Sequence, residues 1–416
     1  MSPRLVLVSG AGGAGRSTLA AATAALAAES GERVLLVAAD DPHRSVDGLL
    51  GHRLGPEPLR IAFEPGLFAL RLDEQAAFRA AGVRLLERAK GLFDLLGVEP
   101  LEPEELTALP GASHLALLDL LRTYGRGRER AEGAERGASF GAFDLVVVDA
   151  PPVAQLVAAL ALPEQLDAYL ARLLPDERQA ARALRPVLAG LAGVPMPSQW
   201  LFEARAWASA ELADIRAVLR APSTSIRLVT APPAGPRARA ELLRARAGLA
   251  LHQLPLESLL VNRVPVDGKP TDGSPTGTDS AGLDLLRAAW DVPVHAVPDL
   301  GREPERVDLG ELAEPSALVT WTDTPAREAV EWRVEDRLDT PDRVLVWHIP
   351  LPGTERGDLE LVRRGDELAL GVGCYRRSVP LPSALRRCTV AGAALRDGVL
   401  TVRFAPDPSL WPASLG

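Results

Sequence analysis

The chain has 416 residues, with 46 Lys or Arg against 55 Asp or Glu, a formal charge of −9 at pH 7. That length leaves room for two or three domains. The acidic balance argues against a nucleic-acid surface as the main function, because phosphate backbones attract clustered positive charge. Hydrophobic residues at 47% exclude disorder as a description of the whole chain, and two cysteines, Cys374 and Cys388, exclude a disulfide framework or a four-ligand zinc site. A reducing cytoplasm is the expected compartment. No apolar run approaches the ~18 residues of a bilayer span, so no integral membrane segment is expected, while peripheral membrane contact stays open. The start, RLVLVSG, lacks a basic leader and runs into glycines, so it does not read as a signal peptide.

In chain order, RLVLVS (4–9) is an apolar β-favouring run ending in a glycine loop. A helical alanine stretch follows from Ser17 to about Ser30, and ERVLLVAAD (32–40) reads as a second buried strand. Strand, glycine loop, helix and strand form a βαβ unit with a parallel sheet. FDLVVVDA (143–150), SIRLVTA (225–231), LESLLVNRV (256–264) and VPVHAVP (292–298) continue the pattern of a doubly wound, mainly parallel α/β domain over residues 1–323. Two helical inserts interrupt it at about 72–122 and 163–221, and two glycine-rich loops fall at 125–141 and 268–282. Residues 84–96 (RLLERAKGLFDLL) offer an apolar helix face, which suits a core face or a client surface. Residues 324–340 read as a linker. From 341 to 410 the chain turns to short alternating strands with turn signals, the pattern of an antiparallel all-β sandwich.

The first loop, GAGGAGRST (Gly10–Thr18), carries the chemistry. A phosphate-binding P-loop reads G-x-x-x-x-G-K-[ST], and Gly10, Gly15 and Ser17 fit it, with Arg16 where the lysine stands. The glycines let backbone N–H groups converge on phosphate oxygens, and the following helix adds its dipole. Ser17 is a candidate Mg²⁺ ligand. Arg16 keeps the charge but brings a planar fork instead of a compact ammonium. Two other readings stay open on these residues. One is a dinucleotide loop at Gly10, Gly12 and Gly15 with Asp40 as its acid, and the other is a structural turn.

The loop, DDPHRSVDGLLG (40–51), FDLVVVDAPPVAQLVAALALP (143–163) and LLVNRVP (259–265) follow one another in an order that resembles the arsenite-pump ATPase (ArsA) family. That family includes ATPases that target tail-anchored membrane proteins. The resemblance covers about residues 3–320. The last part, with Ala394-Leu395-Arg396-Asp397-Gly398-Val399-Leu400, resembles the α-crystallin (small heat-shock) domain that some ArsA-like ATPases carry. The resemblance implies a homodimer that binds ATP and Mg²⁺ through Gly10, Gly12, Gly13, Ala14, Gly15, Arg16, Ser17 and Thr18. It implies Asp41 as the residue that orients the attacking water, Asp149 near the metal as a carboxylate acting through water, and Asn262 as the reader of the purine.

Departures from the family are as informative. Its first loop lysine, which reaches the partner's nucleotide, is Ala11 here, and its second is Arg16. The switch I pattern D-P-A-H-S keeps Asp41, Pro42 and Ser45, while switch II, D-T-A-P-T-G-H-T, keeps only Asp149 and Pro152. The whole chain has two lysines, Lys90 and Lys269. Losing charges that stabilise a transferring phosphoryl group costs orders of magnitude in rate. The expected function is an ATP-responsive chaperone or targeting factor for hydrophobic clients with weak or lost hydrolysis. A non-catalytic pseudo-ATPase scaffold is the alternative, and a metalloid-pump subunit lacks the thiols it needs. Bland readings remain for Asp41 as turn chemistry, Asp149 as a cap and Asn262 as a partner for loop backbone. The ending PDPSLWPASLG lacks an I-x-I-type tail, so the sandwich is expected to pack on its own ATPase domain instead of building a large shell.

Overall fold

Runs such as VLLVA and LVVVD have no polar face, so they suit strands covered by helices on both sides. The computed structural model describes residues 2–88, 99–126, 143–173, 199–232, 236–265, 280–312 and 332–410. Within them lie β1 (Arg4–Gly10), β2 (Val34–Ala38), β3 (Leu59–Arg60), β4 (Leu67–Arg71), β5 (Leu145–Asp149), β6 (Thr224–Thr230), β7 (Leu256–Val264) and β8 (Val294–Pro298). They form one eight-stranded sheet in the order β3-β4-β2-β5-β1-β6-β7-β8. Every neighbouring pair is parallel except the short edge pair β3 and β4.

Helices cover both faces. On one lie α1 (Arg16–Glu29), the short α2 (Ser45–Leu50) and α9 (Leu309–Leu312), packed on Val6, Val8, Leu36, Val147 and Leu260. The other face carries α4 (Ala112–Gly125), α5 (Val153–Leu173), α6 (Gln199–Leu219), α7 (Pro236–Leu251) and α8 (Ser280–Ala289). Among the described residues a further helix, α3 (Glu74–Arg88), packs on α4. The expected face at 84–96 is described only to residue 88, and most of the loops at 125–141 and 268–282 lies outside the described residues.

After residue 332 come β9 (Arg333–Arg337), β10 (Val344–Pro350), β11 (Leu359–Arg364), β12 (Glu367–Val372), β13 (Tyr375–Pro380), β14 (Cys388–Arg396) and β15 (Val399–Pro406). They make two antiparallel sheets, β14-β15-β10-β9 and β11-β12-β13. The expected doubly wound α/β domain and all-β sandwich are therefore both present.

One expectation needs correction, and one strand is new. The 324–340 linker contains β9, because Val334 lies opposite Trp347 and Trp332 meets the Trp347 ring edge-on at 5.7 Å. That apolar anchoring draws the segment into the sheet. The strand Leu67–Arg71, next to β2, was not anticipated. Its five residues follow a proline-glycine turn, Pro65-Gly66, and are too few to show a clear period.

The sandwich packs on the α/β domain without a break in the core. Ala247, Leu249 and Leu251 of α7 belong to the same buried cluster as Leu345, Trp347, Leu370 and Phe404. At Gly248, a Cβ would come within 2.7 Å of three atoms of the Tyr375 ring, so only glycine lets this ring lie against the helix. Beside it, Arg377 donates through Nη1 to the Leu251 carbonyl at 2.8 Å and to Gln253 Oε1 at 3.0 Å, and its Nη2 reaches both Glu164 oxygens at 3.1 Å. Gly248→Leu should destabilise the chain in urea unfolding by about 1–3 kcal/mol through overpacking. Adding Tyr375→Ala should recover part of that loss, and a strictly additive double variant would argue against the contact.

Candidate functional site

The C-terminal ends of β1, β2, β5 and β7 converge, which is where open parallel sheets bind ligands. They bring together the glycine loop, Asp40 and Asp41, Asp149 and Ala150, and Asn262. Gly10 ends β1 opposite Val229. Gly12 and Gly13 are exposed, and a Cβ on either would meet nothing within 4 Å, so the loop borders open space. Gly13 and Gly15 hold left-handed backbone, φ 74 and 94, which a side chain would strain. The backbone N–H groups of Gly12, Gly13, Gly15, Arg16 and Ser17 have no acceptor among the described residues. Those last two begin α1, so the helix leaves its first amides free. Thr18 sits in the same first turn.

Asn262 supports the loop from behind. It is buried, its Nδ2 donates to the Ala14 carbonyl at 2.9 Å, and its Oδ1 accepts from the Arg263 amide at 2.9 Å. A Cβ on Gly15 would overlap that same Nδ2. The carboxamide implied to read a purine is therefore engaged with loop backbone in this structure.

Arg16 points neither to solvent nor into the open loop. Its guanidinium donates to the Ala150 carbonyl and pairs with Asp40 at 3.3 Å, with the side chain 11% exposed. It thus bridges the ends of β2 and β5. Lys90 and Lys269 lie outside the described residues.

Asp41 is buried and fully engaged. Its oxygens accept from the Ser45 amide at 2.8 Å and the Val46 amide at 2.9 Å, which caps α2. Arg71 donates to its carboxylate at 3.1 Å, to its carbonyl at 2.7 Å and to Asp47 at 2.6 Å. Its two carboxylate partners raise the Arg71 pKa against the opposing effect of burial, and the hydrogen bonds from Arg71 and Arg44 hold Asp47 below the usual carboxylate range. Arg71 was missed in the sequence. The available signal was a basic residue ending a short apolar strand, in LFALR, at the edge where a ligand site forms.

Asp149 is the opposite case. It is completely buried, and neither oxygen has a hydrogen-bond partner among the described residues. Burial raises its pKa to about 7, while the nearby Ser17 hydroxyl and Arg16 charge pull it back down. Ser17 is close enough to stabilise the anion without a well-formed hydrogen bond. An unsatisfied carboxylate beside a hydroxyl at a helix start is a donor set that fits Mg²⁺, and the free loop amides fit a phosphate. Switch II differs from a mobile loop here. Ser9 Oγ holds the Pro151 carbonyl at 2.6 Å, and α5 starts at Val153 with Leu156 buried. Among the described residues no cluster of three or more His, Cys, Asp or Glu is arranged to hold a metal, and no helix is long and apolar enough to cross a membrane.

Residues 3–274 match the Anion-transporting ATPase family. This chain belongs to the ArsA family. Residues 342–404 match the HSP20-like domain found in ArsA proteins. The family member is 49% identical to an uncharacterized protein of Streptomyces coelicolor, over 98% of this chain and 99% of that one. It is 31% identical to a protein of Mycobacterium tuberculosis, over 98% and 97% of the two chains. A protein of Aquifex aeolicus, provisionally named an arsenical pump-driving ATPase, is 25% identical over 92% of this chain and 95% of its own.

The Asp149 proton sets a pH test. Between about 4 and 7 the folded protein holds a proton that the unfolded chain has lost, so this group's contribution to stability falls as pH rises through that window. Asp149→Asn should therefore leave the ligand-free protein near wild-type stability at pH 4 and raise it by up to ~4 kcal/mol at pH 8. Denaturant unfolding at the two pH values checks it, and equal differences at both would refute the assignment.

Proposed function

We propose that the chain binds Mg²⁺–ATP on its glycine loop and hydrolyses it slowly or not at all, with occupancy of the loop controlling the handling of hydrophobic protein clients. The observation that carries this reading is the set of free loop amides next to the unpartnered Asp149. The amides of Gly12 to Ser17 would hold phosphate oxygens, Ser17 would take the metal, and Asp149 would act on it through water. A bound Mg²⁺ supplies charge neutralisation at the phosphates. Thr18 completes the first turn, and Asn262 keeps the loop open from behind.

Slow turnover follows from three features. Ala11 cannot reach a second nucleotide in a homodimer, the assembly common in this family. Arg16 is committed to Asp40 and Ala150. Asp41 must give up two amides and Arg71 before it orients water. A client surface is supported by exposed Leu85, Leu115, Tyr169 and Leu173, all on the helices α3 to α5 beside the sheet. Solitary exposed apolar residues are ordinary, but four on adjoining helices suit an apolar segment. The same engaged Arg16 and Asp41 favour the second reading, a pseudo-ATPase scaffold that binds and never hydrolyses.

Calorimetric titration with ATP and ADP in Mg²⁺, run beside a phosphate-release assay, separates them. Binding with slow release that Asp41→Asn abolishes supports the ATPase, and binding without release supports the scaffold. Arg16→Lys should raise release about tenfold or more by freeing the bridge and restoring a point charge. No heat with any nucleotide would defeat both readings.

A further inference from the structure

We propose that α5 carries the occupancy of the glycine loop to the C-terminal sandwich, with the Glu164–Arg377 ion pair as the mechanical link. This rests on nucleotide binding as proposed above, and it assigns to the sandwich a role in sensing that binding.

The near end of the link is the segment from Asp149 to Pro152. Its Ala150 carbonyl accepts from Arg16, its Pro151 carbonyl accepts from Ser9, and its Pro152 carbonyl accepts the amides of Gln155 and Leu156 in the first turn of α5. A phosphate at the loop competes with the Ala150 carbonyl for the Arg16 guanidinium, because an anionic oxygen is a stronger acceptor than a neutral carbonyl. Releasing Ala150 then removes one of the two side-chain tethers on the segment that seats α5, leaving Ser9 on Pro151. This gives the two arrangements that a transmitted change requires, Arg16 on the strand ends or Arg16 on the ligand.

The middle of the link is stiff. Leu156, Val157 and Leu160 are buried in the shared core, so the first three turns cannot slide without moving their neighbours. From Val153 to Glu164 the helix runs about 16 Å. Pro163 lies within it and removes one helical N–H just before Glu164, which lets the helix bend at the link itself.

The far end is Arg377 on β13. Its side chain is 6% exposed and grips both Glu164 oxygens at 3.1 Å. The same guanidinium holds the end of α7 through the Leu251 carbonyl and Gln253 and lies 5.2 Å from the Trp332 ring centre. Arg220 approaches Glu164 from the exposed side at 3.8 Å. A desolvated guanidinium follows its carboxylate, because separating the two leaves a buried charge unpaired. Two residues earlier on the same strand, Tyr375 sits against Gly248, so movement of β13 is felt along α7.

Adhesion between domains would explain the ion pair equally well, and the two explanations part on one readout. Glue changes stability, whereas a link changes how the sandwich responds to nucleotide. Hydrogen exchange of the full chain, with and without Mg²⁺–ATP, reads protection in residues 367–380 and 332–350. Calorimetry on the same samples reports binding. Wild type should bind ATP and change exchange in those peptides at least about threefold. Glu164→Gln keeps one acceptor for Arg377, and Arg377→Lys keeps the charge without the fork. Each should bind ATP with wild-type affinity and lose most of the exchange change. ATP binding with unchanged exchange in wild type overturns the link. So does a full response in a folded variant of either residue. Absence of ATP binding in wild type overturns the nucleotide reading and the link with it. Should Glu164→Gln unfold, the wild-type exchange data and Arg377→Lys still decide.

Discussion

A buried carboxylate with no partner sets the terms for the end of the sheet. Asp149 closes the central strand β5, where water is excluded and Asp40 and Asp41 lie close by. Three acids at one edge would repel one another without compensation, and the chain supplies it with arginines. Arg16 sits between Asp40 and the end of β5, and Arg71 ties Asp41 to Asp47. Only Asp149 is left unsatisfied. Other buried polar atoms of the described residues also lack partners, among them Thr23 Oγ1 and Trp347 Nε1, but Asp149 is the one carboxylate among them, and an unpaired acid beside the glycine loop suits a ligand with positive charge.

Replacing lysine by arginine changes the nature of this edge. A lysine ammonium is a mobile point charge that can sit among phosphate oxygens. A guanidinium is a rigid fork that prefers two fixed acceptors, and here it finds them within the protein. The loop therefore keeps its cradle while its cation is turned toward the neighbouring strands. Charge alone, read from the sequence, would have left the loop's character unchanged.

Much of the fold was legible because its signals are periodic. The strand runs at 4–9, 32–40, 143–150, 225–231, 256–264 and 292–298 coincide closely with β1, β2, β5, β6, β7 and β8. The glycine loop was legible from its spacing. What could not be read was direction. Sequence placed Arg16, Asp41 and Asn262 near the site and left open a turn role for Asp41 and a loop-backbone role for Asn262, but it could not choose between these and ligand binding or name the partners of Arg16. Asp41 faces the amides of α2 because Arg44 takes left-handed backbone, φ 55, and turns the chain back on it. Arg71 was hidden because its strand is short, and β9 because its anchor is a pair of tryptophans fifteen residues apart. Long-range partners of this kind leave no local period.

The seat of Tyr375 on Gly248 has a wider implication. A hydrogen atom is all the room that α7 leaves at that point, so the helix and the sandwich must have been shaped together. The two modules look separable in the linear chain, yet the buried cluster runs through both. Exchanging one for a homologous counterpart would place a foreign ring on a foreign helix. Evolution of this architecture is thus constrained to paired change: the β module cannot drift freely as an appendage, and variation in α7 is filtered by a partner more than a hundred residues away.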